Sequence, residues 1–375
     1  MPSFLFSFFL LVLALPGHAA GPDPSVACVE AQVAALGYSV PKPDGRVDPQ
    51  TRAATQAMKQ QGKSAAIRAL PGFKLETAVG WCREIGMSHP AARKFMPSAK
   101  PPIVYAHGGP GSVPHKVVAQ AFRDTENYFR SRYGFLSASR VDVAGSHDVR
   151  ELAGFAAELQ RKRRYSFGGM SKFINRVCDE GYSYGGVAII NQLLVCWPTA
   201  KRFDAAWQKK TRRVITGIMV HEYMHHVQRE LTNSKSFARR NYYARRSMGP
   251  KWMVEGTAEV AQLDWLIRHG GLKNPGIGGY VNRAAKSAKS LRNMREHGAL
   301  KGGDQYAVAH LAARLLAERN GAQSILNYWR YLGHGNNWET AFQKAFGMRL
   351  SDYERLFETL RRDRAKAAAF AAGRS

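Results

Sequence analysis

The chain has 375 residues, of which 45% are hydrophobic, so it can bury more than one core and is predicted to form two domains or one domain with a small appendage. Its 55 basic and 28 acidic residues give a formal net charge of +27, which favours anionic surroundings such as cell-wall polymers or acidic membrane surfaces. No nucleic-acid-binding motif accompanies this charge, so nucleic acid is not an expected partner.

The N-terminus has the pattern of an export signal. An apolar run from Phe4 to Leu15 is followed by the small residues Ala19 and Ala20, so residues 1–20 are predicted to be a signal peptide. The run is too short to remain in a bilayer as a permanent anchor. We therefore expect a soluble protein of the periplasm or the extracellular space, with no permanent membrane anchor.

The four cysteines agree with export, because disulfides persist in oxidising compartments. They form two sequence-local candidate pairs, Cys28–Cys82 and Cys178–Cys196, out of three possible connectivities.

Residues 25–86 have the pattern of a small three-helix module. Its signals, in chain order, are a helix stop at Gly37, a turn at Asp44-Gly45, an N-cap at Asp48 before Pro49, a helix over Thr51–Gln60 and a third helix over Leu75–Ile85. The third helix would carry Cys82 back to Cys28 and so stabilise a module with a small core.

The segments from Cys28 to Tyr38 and from Asp44 to Ala54 resemble the bacterial peptidoglycan-binding helical domain. That resemblance implies a module that binds peptidoglycan or another anionic cell-wall polymer. The alternative interpretation is a structural pro-region or a spacer.

Residues 87–102 contain four prolines and no periodic pattern, and we interpret them as a linker. Strand-like and helix-like segments follow: a strand at Ile103–Tyr105, a helix over Val117–Arg132, a strand at Ser139–Val143, a helix over Asp148–Gln160 and a strand at Val187–Ile190. They predict an α+β domain over residues 103–360 that contains a small mixed sheet.

The segment His221-Glu222-Tyr223-Met224-His225 has the HExxH pattern. Apolar spacing predicts a helix over residues 213–231, in which residues four apart lie on one face, so His221 and His225 can bind one metal ion. Glu222 then lies beside the open position of the metal and can take a proton from a bound water without being a ligand. The sequence therefore predicts a Zn²⁺ site with Glu222 as the general base.

Glu255-Gly256-x-x-Glu259, with the apolar lead Trp252-Met253-Val254, resembles the glutamate helix of the gluzincin peptidases. The resemblance implies that Glu255 is the third zinc ligand and that Glu259 accepts a hydrogen bond from a zinc histidine. The alternative is two surface carboxylates on an ordinary helix. The gap from His225 to Glu255 is longer than in the best known gluzincins and implies an inserted loop over residues 237–246.

The segments from Asp304 to Gly321 and from Phe342 to Leu356 resemble the helical lower subdomain of the peptidase MA-like zinc proteases. The resemblance implies a zincin-like fold in which Tyr306 or His310 could donate a hydrogen bond to the tetrahedral oxyanion, although both residue types are also common in ordinary helices. Residues 361–375, basic and rich in alanine, are expected to form a frayed tail.

A serine hydrolase is the rival interpretation. The segments His107-Gly108-Gly109-Pro110-Gly111 and Gly181-Tyr182-Ser183-Tyr184-Gly185 resemble the oxyanion loop and the nucleophile elbow of α/β-hydrolases, with Ser183 as nucleophile. Residues 176–180 are largely polar, however, where an elbow needs a buried strand.

A non-catalytic peptidoglycan-binding protein is a further alternative, against which the intact Glu222 argues. We expect an exported zinc metallopeptidase that acts on a peptide or protein substrate at the cell wall.

Overall fold

The computed structural model describes residues 23–40, 43–61, 64–95, 101–135, 137, 139–163, 170–178, 183–189, 191–232, 248–295 and 300–374. The predicted signal peptide and the predicted inserted loop lie outside these residues. The described residues form an α+β protein, as predicted. Its fifteen α-helices are α1 (Pro24–Ala35), α2 (Pro49–Gln61), α3 (Ala65–Arg68), α4 (Ala78–Ser88), α5 (Val113–Tyr133), α6 (Val149–Arg163), α7 (Met170–Cys178), α8 (Ala205–Thr232), α9 (Lys251–Arg268), α10 (Gly276–Ala284), α11 (Gly302–Asn320), α12 (Ala322–Gly333), α13 (Trp338–Phe346), α14 (Leu350–Leu360) and α15 (Arg364–Ala371).

Four strands form one small mixed sheet: β1 (Val104–Ala106), β2 (Asp142–Ser146), β3 (Gly185–Ile189) and β4 (Gln192–Cys196). Their order in the sheet is β1-β2-β4-β3. β1 pairs with β2 and β2 with β4 in parallel, whereas β3 runs antiparallel to β4. β3 therefore lies at one end of the sheet.

The two faces of the sheet contact different helices, because successive strand residues point to opposite sides. Val143, Leu193 and Val195 pack with α5 and α8 in the largest hydrophobic core. Ala144 and Leu194 pack with α6 and α7 in a second cluster. The sheet is thus enclosed between two layers of helices, and α8 lies directly on it.

The predicted strands at Ile103–Tyr105 and Val187–Ile190 lie within two residues of β1 and β3, and the larger differences are in the two central strands. β2 begins at Asp142, three residues later than the predicted strand at Ser139, and β4 was not predicted at all. All five residues of each strand are buried. A central strand that is covered on both faces lacks the alternation of apolar and polar residues by which strands are usually recognised.

The N-terminal helices α1 to α4 share a separate hydrophobic cluster that includes Val26, Val29, Met58 and Trp81. The predicted disulfide Cys28–Cys82 joins α1 to α4 and is confirmed. The short helix α3 and a 3₁₀ helix over Leu75–Thr77 were not predicted as separate elements.

The predicted turn at Asp44-Gly45 is held by a buried carboxylate. Glu30 accepts hydrogen bonds from the backbone N–H groups of Asp44 (3.0 Å) and Gly45 (2.8 Å). Asp48 caps α2 through the backbone N–H of Thr51, as predicted. These bonds give the acidic residues of this turn a structural role.

The linker prediction needs correction over residues 87–95. α4 continues to Ser88, and a 3₁₀ helix spans Pro90–Phe95. Ala92 is buried in the N-terminal cluster, and its carbonyl accepts a hydrogen bond from the Gln32 amide. Pro90 therefore begins an ordered element that packs on the N-terminal cluster through Ala92.

The N-terminal module contacts α12 directly. Asp23 Oδ1 caps α1, while its Oδ2 lies 3.5 Å from Nε of the fully buried Arg330. The hydroxyl of Tyr331, the next residue, donates a hydrogen bond to Glu76. Two adjacent residues of α12 thus contact the module at the start of α1 and in the 3₁₀ helix before α4.

The C-terminal residues are not frayed as predicted, because most of them form α15. Ala367 and Phe370 are buried, and the guanidinium of Arg319 lies 4.6 Å from the centre of the Phe370 ring. The buried Arg361 donates to the carbonyl of Ser287. The apolar spacing of Ala367 and Phe370 was hidden among basic and alanine residues.

The second predicted disulfide, Cys178–Cys196, joins the last residue of α7 to the last residue of β4 and is confirmed. Among the described helices, none combines the length and the apolar character needed to cross a bilayer.

Candidate metal centre

Two antiparallel helices, α8 and α9, carry the residues that the sequence singled out. Each of these helices has a glycine where it packs against another helix, and the missing side chain allows close packing there. A Cβ at Gly217 of α8 would lie 3.0 Å from the Leu266 side chain of α9, and one at Gly256 would lie 2.2 Å from the carbonyl oxygen of Ala309 in α11. Gly256 therefore sets the depth at which the neighbouring Glu255 enters the core.

The structure brings His221, His225 and Glu255 together at one point. Oε2 of Glu255 lies 3.6 Å from Nε2 of His221 and 3.7 Å from Nε2 of His225. One donor atom from each residue lies within 4.8 Å of the others. Two imidazoles and one carboxylate in this arrangement could hold a metal ion.

Each histidine has a polar side chain beside the ring nitrogen that faces away from this point. Nδ1 of His221 lies 3.4 Å from Oε1 of Glu259. Nδ1 of His225 lies 3.0 Å from Oε1 of Gln228, whose amide nitrogen donates to Val254 O and Thr257 Oγ1, both at 2.8 Å. The bond to Gln228 fixes the tautomer of His225 in which Nε2 has the lone pair, and the Glu259 carboxylate is placed to accept from Nδ1–H of His221 when a metal binds at its Nε2.

Lys251, four residues before Glu255 on α9, engages the other oxygen of that carboxylate. Its ammonium forms an ion pair with Glu255 Oε1, while Oε2 faces the two imidazoles. Glu255 therefore presents a single oxygen to the point where the three side chains converge.

The three side chains interact strongly as acid and base. Burial disfavours the charged form of His221, but the carboxylates of Glu255 and Glu259 outweigh it and hold the pKa of His221 well above its ordinary value. Burial also favours neutral Glu255, but His225 and His221 outweigh it and hold the pKa of Glu255 well below its ordinary value. The carboxylates of Glu255 and Glu259 therefore favour a positive charge at this largely buried position.

Glu222 lies between the histidines and the end strand of the sheet. Its Oε2 accepts a hydrogen bond of 2.7 Å from the backbone N–H of Ala188 in β3. The strand can approach because Gly186 has no side chain, and a Cβ there would lie 2.3 Å from Ile218 and 3.5 Å from Cγ of Glu222. The carboxylate thus faces the strand edge.

Tyr306 and His310 lie on α11 in different surroundings. Burial raises the pKa of Tyr306, and the negative charges of Glu255, Glu259 and Glu222 raise it further, so its hydroxyl remains a donor beside the three carboxylates. Burial lowers the pKa of His310 to about 3, with Arg314 and Arg283 acting in the same direction. The His310 ring packs against Tyr280, with centroids 4.4 Å apart. Of the two, Tyr306 is the one grouped with the carboxylates.

Ser183 lies in a bend, after α7 and two residues before the start of β3. A nucleophile elbow requires the opposite order, a strand before the serine and a helix after it. Gly181 and Tyr182 of this motif lie outside the described residues.

Sequence reasoning missed Gln228 and Lys251. Gln228 follows His225 by three residues and Lys251 precedes Glu255 by four, so both lie on the same helix face as the residue they contact. That spacing was the available signal. Among the described residues a second group, Glu30, Asp44 and Asp48, also has the spacing of metal ligands, but Glu30 is occupied by the backbone turn described above.

Comparisons of this chain with protein-family models, with curated proteins and with solved structures gave no match.

Proposed function

We propose that this chain is an exported zinc-dependent peptidase with a zincin-like catalytic domain, which hydrolyses peptide bonds by direct attack of water. The observation that carries the proposal is the convergence of His221 Nε2, His225 Nε2 and Glu255 Oε2. Glu222 follows His221 directly in the chain. Tetrahedral zinc with bonds of about 2.0–2.2 Å separates its donors by roughly 3.3–3.6 Å. The two His–Glu separations, 3.6 and 3.7 Å, lie close to that range.

The donor set favours zinc over calcium or magnesium, because two imidazole nitrogens and one carboxylate oxygen suit a borderline metal. Three protein ligands leave a fourth position for water or substrate, which is the composition of catalytic zinc sites. When bound, zinc supplies Lewis acidity, which polarises a carbonyl group and lowers the pKa of a coordinated water toward about 7.

Three groups of the chain would act on the substrate. Glu222 accepts the proton of the attacking water and passes it to the leaving nitrogen. The hydroxyl of Tyr306 donates a hydrogen bond to the carbonyl oxygen as negative charge builds there. The backbone of β3, at the end of the sheet and beside Glu222, offers hydrogen-bonding groups to an extended peptide.

A first test separates metal chemistry from serine chemistry. We expect 1,10-phenanthroline to abolish cleavage of unfolded casein by the purified protein and zinc to restore it, whereas Ser183→Ala should leave turnover unchanged. Release of new amino groups measures both. Activity that resists the chelator and disappears in Ser183→Ala would assign the chain to the serine hydrolases instead.

We further propose that the N-terminal module holds the enzyme at the cell wall. The support is its three main helices, its turn at Asp44-Gly45 and its disulfide, which together match the pattern that resembles the peptidoglycan-binding domain. The high positive charge of the whole chain would add attraction to anionic wall polymers, and this attraction weakens with salt.

The module and the charge can be separated on purified peptidoglycan. We expect a salt-resistant part of the binding to disappear when residues 21–95 are deleted, and a salt-sensitive part to survive. Because the deletion removes the partner of Arg330, Arg330→Met is introduced into both the full-length and the shortened chain, and circular dichroism checks that each is folded. Complete release of full-length protein by moderate salt would make the module a spacer.

A further inference from the structure

A wide basic groove lies around the N-terminal end of α8, which is the end farther from the HExxH segment. It is bounded by α5, the first turns of α8 and the last turn of α9, and encloses about 1370 Å³. One carboxylate and seven basic side chains line it: Asp124, and Lys116, Arg123, Arg132, Lys209, Arg212, Arg213 and Arg268. Arg213 precedes His221 by eight residues, which places it about 12 Å away along the helix axis.

Most of these cations have no carboxylate partner among the described residues. Asp124 binds Arg212 at 2.7 Å, and Arg132 reaches Asp264 at 3.3 Å. In the part of the chain that the structure describes, the other five form no ion pair with a carboxylate. Cations gathered in one groove repel each other, and a bound polyanion would remove that repulsion.

The size and shape of the groove favour an extended ligand. Pockets for single small molecules enclose about 300–1,000 Å³, which is less than the groove. Its cations come from three helices that line one concavity, a shape that a chain-like ligand fills better than a flat bilayer. Neutral polar groups of Asn127, Ser131 and Gln208 also line the groove and suit the hydroxyl groups of sugars.

The aromatic rings of the groove argue against single-stranded nucleic acid. Tyr128 and Trp265 are 5% and 4% exposed, and the Trp265 ring is stacked on His269 with centroids 4.3 Å apart. Neither large ring offers a free face on which bases could stack. The two disulfides also fit an oxidising compartment, where nucleic acid is not the common polyanion.

We propose that this groove binds an extended anionic polysaccharide, with Arg and Lys side chains contacting its carboxylate or other acidic groups and the neutral side chains contacting its hydroxyls. The site is separate from the candidate metal centre, and the proposal does not depend on peptidase activity.

The test compares two double variants of the full chain that change the net charge equally. Lys116→Glu/Lys209→Glu reverses two exposed lysines of the groove, and Lys286→Glu/Lys289→Glu reverses two exposed lysines after α10. Anisotropy of a labelled oligogalacturonate measures the dissociation constant at several salt concentrations. We expect the groove variant to bind about tenfold or more weakly, and the control to lose no more than about threefold.

Labelled oligothymidylate and polyglutamate of matched charge are measured in parallel. The proposal predicts that both bind more weakly than the oligogalacturonate and respond less to the groove variant. Equal losses in the two variants would mean that the charge acts diffusely, and tighter, groove-dependent binding of oligothymidylate or polyglutamate would assign the groove to that polymer. Either result overturns the proposal. Thermal unfolding of both variants checks that the fold is intact.

Discussion

Glu222→Gln is expected to reduce peptide hydrolysis by about 10²–10⁴-fold, the usual contribution of a positioned general base. The change keeps the size and one carbonyl oxygen, so the hydrogen bond from Ala188 N–H can persist and the fold should be unaffected. Only the capacity to accept the proton of water is removed. The variant should therefore retain wild-type zinc while losing turnover.

Metal analysis and initial rates on the same preparation measure these two properties. Glu158→Gln, on α6 and paired with Arg161 and Lys162 at the surface, is a matched control that should keep full activity. Loss of zinc in Glu222→Gln would show that this residue is a ligand, and full activity would exclude it as the base.

Removal of the Glu255 carboxylate is expected to weaken zinc binding by more than about 100-fold, beyond the 10–100-fold that loss of an outer partner costs. Glu255→Ala also leaves the ammonium of Lys251 without its partner in a largely buried position. The informative variant is therefore Glu255→Ala/Lys251→Met, compared with Lys251→Met alone.

Zinc affinity is measured by competition with a chromophoric chelator, so the result does not depend on catalysis. Glu259→Gln should lie between these variants and wild type, because its carboxylate contacts His221 from the outer side. Wild-type affinity in Glu255→Ala/Lys251→Met would remove Glu255 from the ligand set.

Local patterns predicted most of what is local in the candidate site. His221 and His225 share a face because α8 is helical, and helical spacing is visible in the sequence. The position of Glu255 depends on tertiary packing of α9 against α8, and only the resemblance of Glu255-Gly256 to a known motif indicated it. Neither the helical spacing nor the motif resemblance indicated which oxygen of the Glu255 carboxylate Lys251 would bind.

The fold was predicted less completely where the periodic pattern of apolar residues is hidden in the sequence. β4 is a run of buried residues with no exposed face, and α15 has a narrow apolar stripe among basic residues. The basic groove collects residues from three helices that are far apart in the chain, so composition revealed its charge but not its place.

The contacts of Asp23 and Glu76 with α12 give the proposed wall attachment a geometric consequence. An enzyme tethered by a flexible linker searches a volume, and its effective concentration at a target falls as the linker lengthens. A module docked by a buried ion pair gives one fixed displacement between the attachment point and Glu222. Bonds at that displacement would be cut repeatedly from a single attachment, whereas nearer and farther bonds would require the whole molecule to detach and bind again.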